Sequence, residues 1–155
     1  MLQRLHLVAG LLASLCIATF LLSTLLVELF GSHAAVAQLK SLVVTPGLWI
    51  LIPAIVAAGA SGALLSKSRQ GRLAQSKKRR MPFIAANGLL VLLPSAIVLD
   101  RWASAGSFDA AFHAVQAVEL VAGAINLVLM GLNVRDGLRL TGRLRQRRFG
   151  ATRAG

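Results

Sequence analysis

The chain has 155 residues, 56% hydrophobic and 14% charged, with a mean hydropathy of +0.72. Soluble domains run at about 45–50% apolar and about 25% charged, so this composition excludes an ordinary soluble fold. The net charge of +12 does not mark a nucleic-acid binder. Seven basic residues lie within Lys67–Arg80 and seven within Arg135–Arg153, beside apolar blocks, where they act as topology signals and contacts for anionic headgroups.

Leu5 to Phe30 is almost unbroken hydrocarbon after Arg4. It exceeds the ~7–15 residues of a signal-peptide core, so Ala35-Val36-Ala37 is not read as a cleavage site, and the segment is expected to remain as a first span. Its lone cysteine, Cys16, has no partner for an intrachain disulfide and reads as a small apolar side chain. Glu28 falls in the last turn, and Gly31-Ser32 ends the helix just before His33.

Leu42 to Leu65 is the expected second span, with Gly31–Ser41 as a loop before it. Pro46 suits a first turn, Pro53 should kink the helix, and Trp49 suits an interfacial anchor. Ala58/Gly62 and Gly59/Ala63 are small residues four apart, which allow close backbone approach.

Lys67–Met81 reads as the basic loop, with Lys77, Lys78, Arg79 and Arg80 at its end. It belongs on the cytoplasmic side by the positive-inside rule. A third span follows over 83–100, with Asn87, Val91, Pro94, Val98 and Arg101 on one face and Asn87 placed to bond a neighbouring helix. Asp100-Arg101-Trp102 marks the far interface.

The fourth span, 110–134, is capped by Ser107 or Asp109. Within it His113, Gln116, Glu119, Gly123, Asn126, Met130, Asn133 and Gly137 recur at spacings of three and four. That pattern is one helix stripe, and polar groups are costly against hydrocarbon, so it should face the other helices. Residues 135–155 form a basic tail, Arg145, Arg147 and Arg148 included, read either as a surface-lying amphipathic helix or as an unstructured segment.

The reading is therefore an all-α, up-down-up-down four-helix membrane bundle over residues 1–134, both termini cytoplasmic, in a bacterial inner membrane. No nucleotide, hydrolase or thiol-redox motif is present, and no catalytic residue is assigned. The candidate site gathers Glu28, His33, His113 and Glu119 in the half of the bundle away from the basic segments. His33 and His113 could ligate haem b from two helices, the sharpest reading, for membrane electron transfer. In helix count and one histidine pair the architecture is similar to the small four-helix membrane cytochromes of the b561 type, without matching a motif of theirs. The same four residues could instead hold zinc, manganese or iron, or relay protons or ions. A third reading is a cofactor-free accessory or assembly subunit, partnered by another membrane protein or by copies of itself, with Gln116, Asn126, Asn133 and Asn87 as interhelical glue.

Overall fold

The computed structural model describes residues 1–67 and 72–140, with side chains in all but 66–79 and 137–140. The fold is all-helical. Four helical stretches are long and apolar enough to cross a membrane: Leu2–Phe30, His33–Leu65, Arg80–Ser104 and Ala110–Asp136.

The first is the unbroken α1, Leu2–Phe30. It stops where Gly31 donates its N–H to the Val27 carbonyl at 2.8 Å, and a Cβ on Gly31 would lie 2.6 Å from that oxygen, so only glycine allows the closure. Ser32 then caps α2, His33–Leu42, accepting from the Ala35 N–H at 3.3 Å. The second span therefore begins about two and a half turns before the position expected from hydropathy. The cause is local: a serine cap followed by Ala-Ala-Val-Ala-Gln-Leu-Lys contains no helix breaker.

The second span is interrupted by a widened turn over Val43–Leu48, and α3 then runs helical through Pro53. Thr45 is extended (φ −136°, ψ 111°). The Thr45–Pro46 peptide is cis. Pro46 thus lies mid-span rather than in a first turn. Trp49, exposed at the start of α3 (Trp49–Lys67), is level with the middle of α1, where Phe20 packs on Gly47, and is not at a span end.

The third span begins as α4, Arg72–Asn87. The basic stretch expected to be loop is largely helix, because Arg, Leu, Ala, Gln and Lys are good helix formers. A second widened turn, Gly88–Leu92, leads to α5, Leu93–Ser104. Pro94 lacks an N–H and crowds the carbonyl four residues back, which accounts for the widening. The extra residue rotates the helix. Beyond Asn87 the buried positions are Ser95, Ala96, Leu99 and Ala103, whereas Pro94 and Arg101 are exposed. The predicted face through Val91, Pro94, Val98 and Arg101 does not survive this shift. Trp102, near the end of the span, packs one side against a core cluster.

The fourth span is α6, Ala110–Leu140, capped by Asp109, whose Oδ1 accepts from the Phe112 N–H at 2.9 Å. The helix continues past the expected end at 134. The tail beyond 140, Arg145, Arg147 and Arg148 among it, and the side chains of Lys77, Lys78 and Arg79 lie outside the described residues.

Neighbouring spans run antiparallel. His6 near the start of α1 meets Ala58 and Ser61 near the end of α3, and Arg80 of α4 meets Asp136 of α6. Two apolar clusters hold the bundle. Ala13, Ile17, Leu51 and Ala54 join α1 to α3, and Val36, Leu99, Ala103 and Phe112 join α2, α5 and α6.

Of the two predicted small-residue pairs, one is used. Gly62 is buried, and a Cβ there would lie 2.9 Å from both His6 Cε1 and Met81 Cε, whereas Gly59 has nothing within 4 Å. Overpacking of this kind costs about 1–3 kcal/mol. Gly62→Leu should therefore lower the thermal unfolding midpoint of the detergent-solubilised protein by several degrees, and Gly59→Leu should leave it nearly unchanged.

Candidate functional site

The polar stripe of α6 faces inward as expected. Gln116, Gly123, Asn126 and Asn133 are buried and Glu119 is 14% exposed. The stripe is headed by buried Phe112 and closed by buried Asp136; His113 stands off the seam, 58% exposed.

Along α6 the charged groups form three levels, with an amide pair between those of Glu119 and Asp136. At the end away from the basic segments, His113 Nδ1 lies 3.7 Å from Glu28 Oε1, too long for a direct hydrogen bond. His33 reaches the same end, its ring stacked on Phe108 at 4.2 Å and 16°. Phe108 in turn meets Phe112 edge-on at 5.0 Å. At the basic end, Arg80 Nη1 donates to Asp136 Oδ2 at 2.7 Å. From His113 to Asp136 is about 35 Å along the helix at 1.5 Å per residue. These two pairs thus bracket roughly one hydrocarbon thickness of about 30 Å.

The third level lies inside that bracket. Lys40 Nζ donates to Glu119 Oε2, with the lysine 1% exposed. Gln116 Nε2 donates to the same oxygen at 3.4 Å. Glu119 is about 9 Å deeper than His113. Sequence reading placed Lys40 in a loop and missed it. The recoverable signal was its place on the series Val36, Lys40, Val43, Gly47, spaced by three and four, all of which are buried. Asp136 and its pairing with Arg80 were missed for a similar reason, being assigned to tail and loop.

The expected Asn87 bond is present. Its Nδ2 donates to the Ala122 carbonyl at 2.9 Å and to Asn126 Oδ1 at 3.0 Å. Asn126 is fully buried, with its own Nδ2 3.4 Å from the Ile84 carbonyl. The Gln116 and Asn133 side-chain oxygens are buried and accept no hydrogen bond from a described residue.

The four residues grouped in the sequence reading do not converge. Glu28 faces His113, His33 lies on Phe108, and Glu119 is held by Lys40. Among the described residues no three of His, Cys, Asp and Glu are grouped to hold a metal ion. A lysine ammonium on the Glu119 carboxylate also opposes a cation there. His33 and His113 are both exposed at the bundle's end, and neither lines the cavity in its core.

Between Glu119 and Asn126 lies a cavity of about 140 Å³. Its walls are apolar and come from every span, with Ile17, Phe20 and Leu21 from α1, Leu51 and Ile55 from α3, Ile84 and Ala96 from the third span and Gly123 from α6. Thr24, Glu119 and Asn126 are its polar lining. Ile52, Val56 and Leu89 border it and are exposed, so it opens sideways between the second and third spans. No family model matches the chain, and no curated protein or solved structure matches it either.

Removing one partner of a buried ion pair leaves an uncompensated charge and costs about 3–5 kcal/mol, whereas apolar replacement of both is often neutral. Lys40→Met alone should sharply destabilise the protein in detergent. Lys40→Met combined with Glu119→Leu should recover most of the loss, as measured by thermal unfolding of the three proteins side by side.

Proposed function

We propose that this small multi-pass membrane protein binds a small hydrophobic molecule supplied by the bilayer, at the cavity beside Glu119. The observation that carries the reading is the cavity itself: apolar, walled by all four spans, and open to the side where acyl chains lie rather than to water. Ligand sites are concave, mostly apolar, and oriented by a few polar groups, and helix bundles build such sites in their cores. Glu119, fixed by Lys40, and Asn126, fixed by Asn87, are such groups. In this reading the basic end faces the cytoplasm and its anionic headgroups. The ion pairs are interior fastenings rather than steps of a transport path, because about 25 Å along α6 separates Glu119 from Asp136.

The test uses the full chain in nanodiscs of deuterated lipid, with toluene as probe. Methyl resonances of Ile17, Ile52, Ile55 and Ile84, which line the cavity, should shift saturably as toluene is added. Gly123→Leu should abolish the shifts, since a Cβ at Gly123 meets only ordinary contacts, at 3.6 Å from Leu21 and 4.0 Å from Leu92, and leaves the added side chain to fill the cavity. Shifts that grow linearly with toluene, or that persist in the filled variant, would contradict the proposal.

A further inference from the structure

Resting on the ligand-binding reading, we infer that the cavity takes a six-membered ring bearing a hydroxyl group, a phenol-type head, and that Glu119 accepts its hydrogen bond. Three observations lead there. The first is size: a dry apolar cavity of about 150 Å³ holds one benzene ring, and this one measures about 140 Å³. The second is access: the opening at Ile52, Val56 and Leu89 leaves room for an alkyl or isoprenoid substituent to trail into the lipid. The third is the free acceptor. Glu119 lines the cavity, and its Oε2 is engaged by Lys40 and Gln116, but its Oε1 accepts no hydrogen bond from any described residue.

A carboxylate oxygen can accept several hydrogen bonds and gains most from a donor. In an apolar cavity an O–H is the least costly donor to bring, because a cationic head would have to shed its hydration in hydrocarbon and face the Lys40 ammonium. An anionic head would meet Glu119 itself. A neutral ring hydroxyl satisfies the oxygen and buries its carbon face against Ile17, Phe20 and Leu51.

The experiment compares 4-methylphenol, 4-methylanisole and toluene on the wild-type chain in deuterated-lipid nanodiscs, each concentration corrected for partition into the same nanodiscs without protein. The expected result is saturable binding of both 4-methylphenol and toluene. The phenol should bind about tenfold or more tightly, as one charge-assisted hydrogen bond gives, and the methyl ether, which lacks the donor, should lose that advantage. The Lys40→Met/Glu119→Leu protein should bind both without preference. Equal affinity for phenol and toluene in the wild type would overturn the hydroxyl assignment while leaving a ring-binding cavity. Failure of all three to saturate would overturn the underlying ligand reading as well. Methyl shifts that follow only the acyl-chain length of the nanodisc lipid would mean that a lipid tail occupies the cavity, which also overturns the inference.

Discussion

A lysine ammonium and a glutamate carboxylate are each expensive to hold in hydrocarbon, by several kcal/mol even after relaxation. Here both lie about 9 Å or more inside the bundle, and each is tolerable only because the other is there. That mutual dependence constrains the fold. Lys40 must be on a helix, so α2 begins at His33 instead of leaving a loop. The α2 helix must pack where Glu119 of α6 can be reached, which sets it against α5 and α6 through Val36, Leu99 and Phe112. The second span then breaks at Thr45 and continues as α3, which packs on α1 through Ala13, Ile17, Leu51 and Ala54. Buried ion pairs contribute little net stability; this one fixes which faces meet.

The rest of the α6 seam repeats the logic with weaker groups. The amide pair Asn87–Asn126 joins the third and fourth spans in mid-bundle, and Arg80–Asp136 joins them again at the basic end. Lipid offers no hydrophobic drive for helix association, so small residues and polar contacts must specify which helices meet. Gly47 against Phe20 and Gly62 against His6 supply the close approach between α1 and the second span. Between these fastenings, the third span is rotated by its widened turn, and α3 and α5 leave space between them. The cavity results from polar fastenings that join the second, third and fourth spans, and close packing that adds α1, around apolar faces that do not fully close.

Much of this was legible in the sequence. Four apolar blocks are long enough to cross a bilayer whatever their order, and the spacing of Gln116, Glu119, Asn126 and Asn133 admits only one inward face. The Asn87 bond follows from the cost of a lone amide in lipid. What could not be read were features decided by backbone geometry. Hydropathy cannot show that Ser32 caps a helix early enough to carry Lys40 inside, nor that one extra residue at Gly88–Leu92 rotates everything after it. Grouping Glu28, His33, His113 and Glu119 by depth alone overlooked azimuth: His113 is one position off the seam that begins at Phe112. The partner of Glu119 was a cation assigned to the wrong element, so the ion pair inside the bundle was hidden.

The central claim is that Lys40 and Glu119 meet inside the membrane. A dipolar-recoupling solid-state NMR measurement tests it most directly, with ¹⁵N at Lys40 Nζ and ¹³C at Glu119 Cδ in the bilayer-reconstituted protein. Direct pairing predicts a separation under about 4 Å, the range of an ion pair. A separation beyond about 6 Å, outside that range, would mean that the two charges are solvated apart and that the packing of α2 against α6 described above is wrong.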